Sequence, residues 1–120
     1  MSKERTTGID SNSIIVFNGD IRELKSIPKD FCGDIIVHGD IDLNLWRGLE
    51  SLIANCSIWC EGSIRCYHIK INGSLYVNGM IRASGDIICS EDIICTDIID
   101  CNSIVCGGQR SAKWIDIGPI

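Results

Sequence analysis

The chain of 120 residues holds only two prolines and no run of eighteen apolar residues, so it has neither the composition of a proline-rich disordered segment nor a stretch able to cross a bilayer as a helix. Its opening, MSKERTTGIDSNS, is polar and lacks the apolar core of a secretory signal, so the expected location is the cytoplasm and no membrane association is implied. Basic residues are in deficit. Eleven Lys and Arg against sixteen Asp and Glu leave a net charge of −5, a poor surface for holding phosphates, and direct binding of nucleic acid is not expected. Only two histidines are present, His38 and His68, and there is no Walker loop, no GxSxG elbow and no dinucleotide fingerprint. The residues therefore name no cofactor, no metal and no small-molecule substrate, and the chain is read as a non-enzyme.

What the sequence does have is cysteine, eight in all, within a composition 45% hydrophobic and long enough for one domain with its own core. Without an export signal the thiols are expected to stay reduced, which turns attention from a disulfide framework to their spacing. Residues 85–106 read GDIICSEDIICTDIIDCNSIVC, with Ile-x-Cys recurring about every six residues. Alternate residues of a strand share a face, so each Ile-x-Cys directs two side chains one way, and the Gly or Asp that follows allows a bend.

The same hexad continues upstream as Leu52/Ala54, Ile58/Cys60, Ile64/Cys66, then Ile69/Ile71, Leu75/Val77, Ile81/Ala83, and finally Ile87/Cys89, Ile93/Cys95, Ile99/Cys101. Three hexads make one triangular coil, and its first member recurs at 52, 69, 87 and 104, in steps of 17, 18 and 17. Short repeats that can bury their apolar positions only against the next copy are the mark of a solenoid. The expected fold is all-β: a single-domain parallel β-helix with about 17–18 residues per turn in its C-terminal half. Its N-terminal turns are longer and irregular. The alignment of LKSIPKDFCGDIIVHGDI from Leu24 with LESLIANCSIWCEGSI from Leu49 pairs Leu24 with Leu49 and Ile35 with Ile58, giving turns of 25 and 23 residues. The expected layout is a flexible arm over residues 1–13, a solenoid over 14–108 and a C-terminal cap over 109–120.

Two resemblances follow from short motifs. The Leu-x-Ser-Ile and Leu-x-Ser-Leu pieces at Leu24 and Leu49 resemble leucine-rich-repeat turns. The GDI triplets at Gly19–Ile21, Gly33–Ile35, Gly39–Ile41 and Gly85–Ile87 resemble the polymer-forming bactofilin family over about residues 33–106. That resemblance implies a right-handed β-helix that assembles end to end into cytoskeletal filaments.

Stacking the hexads gives three inward columns: Ala54, Ile71, Cys89, Cys106; then Cys60, Val77, Cys95; then Cys66, Ala83, Cys101. Cysteine alternates there with Ala, Val and Ile, which a volume constraint produces and a metal site, needing thiolate, does not. The cysteines are read as a packing ladder. No Cys89–Cys106 bond is expected, since stacked strands lie ~4.8 Å apart and a disulfide wants its β-carbons about 3.8 Å apart. The remaining metal candidate, Cys56, Cys60, Cys66 and His68, has the spacing of no common zinc module.

The residues between the inward pairs face outward in three files: Ile36, Trp59, Tyr76, Ile94; Ile53, Lys70, Ile88, Val105; and Asp42, Arg65, Arg82, Asp100. The first is a contiguous apolar strip and the candidate binding face. It is expected to meet a second copy, as a homodimer or filament, or another protein, unless the N-terminal arm or the C-terminal SAKWIDIGPI folds over it. A second reading makes the molecule a small acidic binding module, of the kind phages use against restriction or CRISPR enzymes, in which Asp86, Glu91, Asp92 and Asp97, clustered at the corners of one turn, meet a basic groove. A hexapeptide-repeat acyltransferase fits less well, because those repeats place the small residue before the aliphatic one and here the larger comes first.

Overall fold

The computed structural model describes residues 13–45 and 48–118. The chain is a β-solenoid of about six turns whose strands lie on three parallel sheets. The first sheet stacks Ile14–Phe17, Asp34–Val37, Ser57–Cys60, Leu75–Val77, Ile93–Cys95 and Arg110–Ser111. The second stacks Ile41–Asp42, Ile64–Cys66, Ile81–Ala83, Ile98–Cys101 and Trp114–Ile117. The third stacks Leu52–Ala54, Ile69–Ile71, Asp86–Cys89 and Ser103–Cys106. Among the described residues no helix is long and apolar enough to cross a membrane.

Period-2 alternation explains the core. In each hexad the outer two residues of Ile-x-Cys are buried and the middle one is not, as in Ile64–Cys66, Ile69–Ile71 and Ile81–Ala83. Full burial of one such aliphatic side chain contributes about 1.5–3 kcal/mol, so a stack of isoleucines outweighs the weak strand propensity of any one three-residue segment. The pairing places Ala54, Ile71, Cys89 and Cys106 in one column, with Cys60, Val77 and Cys95 in another.

The first two turns are long for different reasons. Along the first sheet Ile15 pairs with Ile35 and Ile35 with Ile58. In the first turn a 3₁₀ segment, Leu24–Ser26, takes the place of a third-sheet strand. In the second turn an antiparallel pair, Asn44–Leu45 with Gly48–Leu49, is inserted between the second and third sheets. The expected stacking of Leu24 on Leu49 is therefore replaced: Leu49 pairs with Asn44, and the Leu24 N–H donates to the Glu50 carboxylate at 2.8 Å. The expected cap at 109–120 carries two further strands of the ladder, Arg110–Ser111 on Ile93–Ile94 and Trp114–Ile117 on Ile98–Cys101. Of the expected arm, residues 1–12 lie outside the described residues, and the Ser13 carbonyl accepts the Asp34 N–H at 2.9 Å.

The bends leave backbone N–H groups that a strand partner cannot reach, and short polar side chains one turn earlier accept them. At the corner between the first and second sheets, Asp20 accepts the Asp40 N–H, Asp40 accepts the Ser63 N–H and Ser63 accepts the Met80 N–H, at 2.8, 2.8 and 3.1 Å. At the next corner Ser51 accepts the His68 N–H and His68 Nδ1 accepts the Asp86 N–H, at 3.2 and 2.9 Å. At the third, Ser57, Ser74 and Asp92 accept the N–H groups of Ser74, Asp92 and Gln109, at 2.9, 3.2 and 2.7 Å. Gly19, Gly39, Gly62 and Gly79 stack beside the first of these ladders. A Cβ on Gly39 would lie 2.6 Å from the Gly19 carbonyl carbon, and one on Gly79 would lie 2.8 Å from the Gly62 carbonyl oxygen, so only glycine fits that approach. The triplet Gly39–Asp40–Ile41 thus has a local cause: close approach, acceptor for the turn above, core.

All eight cysteines are free, and six of them are buried: Cys56, Cys60, Cys66, Cys89, Cys95 and Cys101. Cys60 and Cys95 also donate their S–H to the corner carbonyls of Gly39 and Gly79, at 3.3 and 3.0 Å, which valine cannot do. Cys106 is half-buried on the last third-sheet strand and Cys32 is exposed, so the packing ladder does not extend to Cys32. A thiol reagent followed by mass spectrometry is expected to label Cys32 first, Cys106 next and the other six slowly, with all eight opened by denaturant. Prompt labelling of Cys66 or Cys89 in the native protein contradicts this packing.

Candidate interaction face

The outward positions of the first sheet form one file. Strand pairing sets Val16 beside Ile36, Ile36 beside Trp59, Trp59 beside Tyr76 and Tyr76 beside Ile94. Parallel in-register stacking repeats each position at the strand spacing, ~4.8 Å, so five apolar side chains make a rib close to 20 Å long. At its centre the Trp59 and Tyr76 rings are stacked, centroids 4.8 Å apart and planes 11° from parallel. Trp59 remains 41% exposed, while Ile36, Tyr76 and Ile94 are half-buried by one another. Side-by-side rings hold each other's rotamers, so little side-chain entropy is left to lose when a partner arrives.

A shallow groove of about 670 Å³ runs along this rib. Ile14 and Asp34 border one margin, and His38, Glu61, Asn78 and Thr96 the other. His38 Nδ1 lies 2.8 Å from a Glu61 carboxylate oxygen, and the Thr96 hydroxyl donates to the Asn78 carbonyl at 2.6 Å. The groove therefore has an apolar floor and a polar rim, the anatomy of a protein contact.

Ile36, Trp59, Tyr76 and Ile94, the four candidates read from the repeat, are brought together here. Val16 and Ile14 extend the face and were not singled out. Their signal is the alternation IIVF at residues 14–17, which becomes readable only once the 20-residue first step, Ile15 to Ile35, is known. The His38–Glu61 pair follows in the same way from the 23-residue step that stacks Val37 on Cys60.

The other two outward files differ in chemistry. The third sheet shows Ile53, Lys70, Ile88 and Val105, an apolar file interrupted by an ammonium group. The second shows Asp42, Arg65, Arg82 and Asp100, where Arg82 Nε and Asp100 Oδ2 lie 3.9 Å apart. Both partners of that pair are exposed, and such contacts contribute ~0–1 kcal/mol.

The four acidic candidates are divided among the three corners of one turn. Asp86 opens a third-sheet strand, Glu91 and Asp92 precede a first-sheet strand, and Asp97 precedes a second-sheet strand. Three of them are also engaged within the fold. Asp86 accepts from Asn102 and Ser103, at 2.9 and 2.8 Å, and these hydrogen bonds hold its carboxyl below the usual carboxylate range. Glu91 accepts from the Ser74 hydroxyl at 3.2 Å, and Asp92 accepts from the Gln109 N–H.

Among the described residues no group of three or more His, Cys, Asp and Glu is placed to hold a metal ion. Within the Cys56, Cys60, Cys66 and His68 set, Cys60 lies on the first sheet and Cys66 on the second. Compared with protein-family models, characterised proteins and solved structures, the chain matches none.

Proposed function

We propose that this protein is a non-enzymatic scaffolding module of the cytoplasm, and that its rigid coil associates with a second copy through the Val16, Ile36, Trp59, Tyr76, Ile94 face. The observation that carries this reading is the stacked Trp59–Tyr76 pair at the centre of an unbroken apolar file. Trp and Tyr at the middle of a flat, preformed surface are the residue types whose truncation most often dominates a contact. A two-fold axis through the face sets rib against rib, so one patch serves both partners. The acidic-module reading draws less support, because its carboxylates face three directions and most of them are engaged in the corner ladders.

Size-exclusion chromatography with light scattering tests the reading. The parent is expected to run as a dimer, and the double variant Trp59→Ser, Tyr76→Glu as a monomer with a cooperative melt close to that of the parent, because both side chains point away from the core. Loss of two central anchors is worth at least ~2 kcal/mol, or about thirty-fold in Kd. A parent that is monomeric at all concentrations overturns self-association and leaves the face to a different protein.

A further inference from the structure

The inward column of the first sheet runs Ile15, Ile35, Ile58, Leu75, Ile93 and ends on Arg110, which pairs in register with Ile93. Arg110 is the only charged residue at an inward strand position among the described residues. Its guanidinium reaches the third sheet, where it donates to the Ile104 carbonyl at 3.4 Å. Its charge is also felt on the second sheet by Cys101, whose thiol is raised chiefly by burial and by neighbouring aspartates, with Arg110 acting in the opposite direction. The Arg110 side chain, exposed at an inward position of the first sheet, therefore reaches across the end of the core to the third sheet.

That position does two things. Ile104 belongs to the last third-sheet strand, whose single strand neighbour is Asp86–Cys89, so its outer edge is where an added turn would pair. Arg110 already holds a carbonyl of that edge. A second coil stacked on this end would also bury the guanidinium among inward residues of the last turn that carry no carboxylate, since Asp100 and Asp116 sit at outward positions of the second sheet. Two copies meeting by this same end would set two guanidinium groups face to face. A buried, unpaired charge is among the most unfavourable groups a contact can contain.

We infer that Arg110 is a terminator that closes the C-terminal end of the coil to stacking by a second copy, so that assembly of this protein proceeds sideways and not along the coil axis. The inference stands on the end of the coil alone and does not need the first-sheet contact. The other inward strand positions of the last turn, Ile104, Cys106, Ile115 and Ile117, are apolar, and Ile117 is 47% exposed. Removing the charge therefore uncovers an adhesive end.

The test is Arg110→Leu, made both in the parent and in the Trp59→Ser, Tyr76→Glu background, with Arg110→Lys as the variant that keeps the charge. Sedimentation velocity over a hundred-fold concentration range and negative-stain microscopy read the assemblies. In both backgrounds the leucine variant is expected to form elongated species whose mass rises with concentration, at least doubling over the range, while the lysine variant behaves as its own background does. A melt within a few degrees of the parent verifies that Arg110→Leu is folded. Filaments from the parent, or a folded leucine variant with unchanged mass in both backgrounds, overturn the inference. Elongation by Arg110→Leu with no effect of Trp59→Ser, Tyr76→Glu on the parent supports the terminator and rejects the first-sheet contact, so the two readings fail separately.

Discussion

Ile93→Asp is expected to abolish the cooperative fold, whereas Ile94→Asp, one residue along the same strand, is expected to melt within a few degrees of the parent. Ile93 is fully buried and contacts the stacked core from Leu75 below, and Ile94 faces the groove. A carboxylate at position 93 sits on Leu75, and its one cationic neighbour, Arg110 of the last turn, is exposed and bonded to the Ile104 carbonyl. The charge is therefore buried without an adequate partner, at a cost of several kcal/mol, comparable with the ~5–15 kcal/mol that holds a whole domain together. In a coil the damage also spreads, because each turn is buried only by its two neighbours, and loss of the fifth turn exposes both the fourth and the sixth. Circular dichroism and urea titration of the two variants check the result. Equal stabilities for the pair overturn the assignment of faces, since a one-residue slip exchanges inside for outside along the entire strand.

The second large effect is alkaline. Burial pushes the thiols of Cys66 and Cys89 up to about 12 and those of Cys56 and Cys60 up to about 11, and raises Cys95 and Cys101 as well. In the unfolded chain the same thiols ionise near their ordinary value of about 8.5. Below that pH both states hold the proton and stability is at its full value. Above it the unfolded chain releases protons that the folded chain retains, so stability falls with every further increase in pH until the folded thiols ionise in turn. Each unit of difference is about 1.4 kcal/mol per thiol, and several thiols act in the same direction. The urea midpoint is therefore expected to be level from about pH 7 to 8 and to fall steeply above about pH 9. Replacing Cys66 and Cys89 by Ala, the residue that stands as Ala83 in the column of Cys66 and as Ala54 in the column of Cys89, is expected to flatten the slope. A midpoint that does not move between about pH 8 and 10.5, or a slope unchanged by those replacements, contradicts the burial of the thiols.

The two effects concern the same inward columns, and those columns were readable before any coordinates. Strand side chains alternate strictly, and in-register parallel stacking turns a sequence step of 17 or 18 residues directly into a spatial neighbour. Ile58 on Leu75 and Leu75 on Ile93 follow from counting. The Ile36, Trp59, Tyr76, Ile94 file follows from the same count, displaced by one residue. Where an insertion interrupts the count, the reading weakens. The antiparallel pair of Asn44–Leu45 with Gly48–Leu49 and the 3₁₀ turn at Leu24–Ser26 add length without adding a step, so motif alignment sets Leu24 against Leu49, whereas in the fold its N–H is held by the Glu50 carboxylate.

The GDI triplets illustrate a different boundary. Read as a motif they resemble one family. Read in the structure, Gly39–Asp40 is the bend itself, with glycine where two backbones approach and aspartate where the next turn presents an N–H, and Asp20 accepts in the same way. Any coil with these corners selects the same residues, so the triplet is a weak mark of kinship and a good mark of geometry. The same corners hold the acidic residues that the repeat places at the bends of one turn, with Asp86 at one corner and Glu91 and Asp92 together at the next.

By itself, then, the sequence determined the fold class, the inward and outward columns and the apolar file, because each depends only on a period of two along the strand and a repeat near eighteen along the chain. The tertiary structure alone decided which carboxylates are engaged at the corners, that Cys32 lies outside the ladder, that His38 meets Glu61, and that Arg110 reaches across the end of the core to Ile104. Those outcomes depend on which backbone groups the bends and the last strand leave unpaired and on which side chain is long enough to reach them, and no periodicity encodes either.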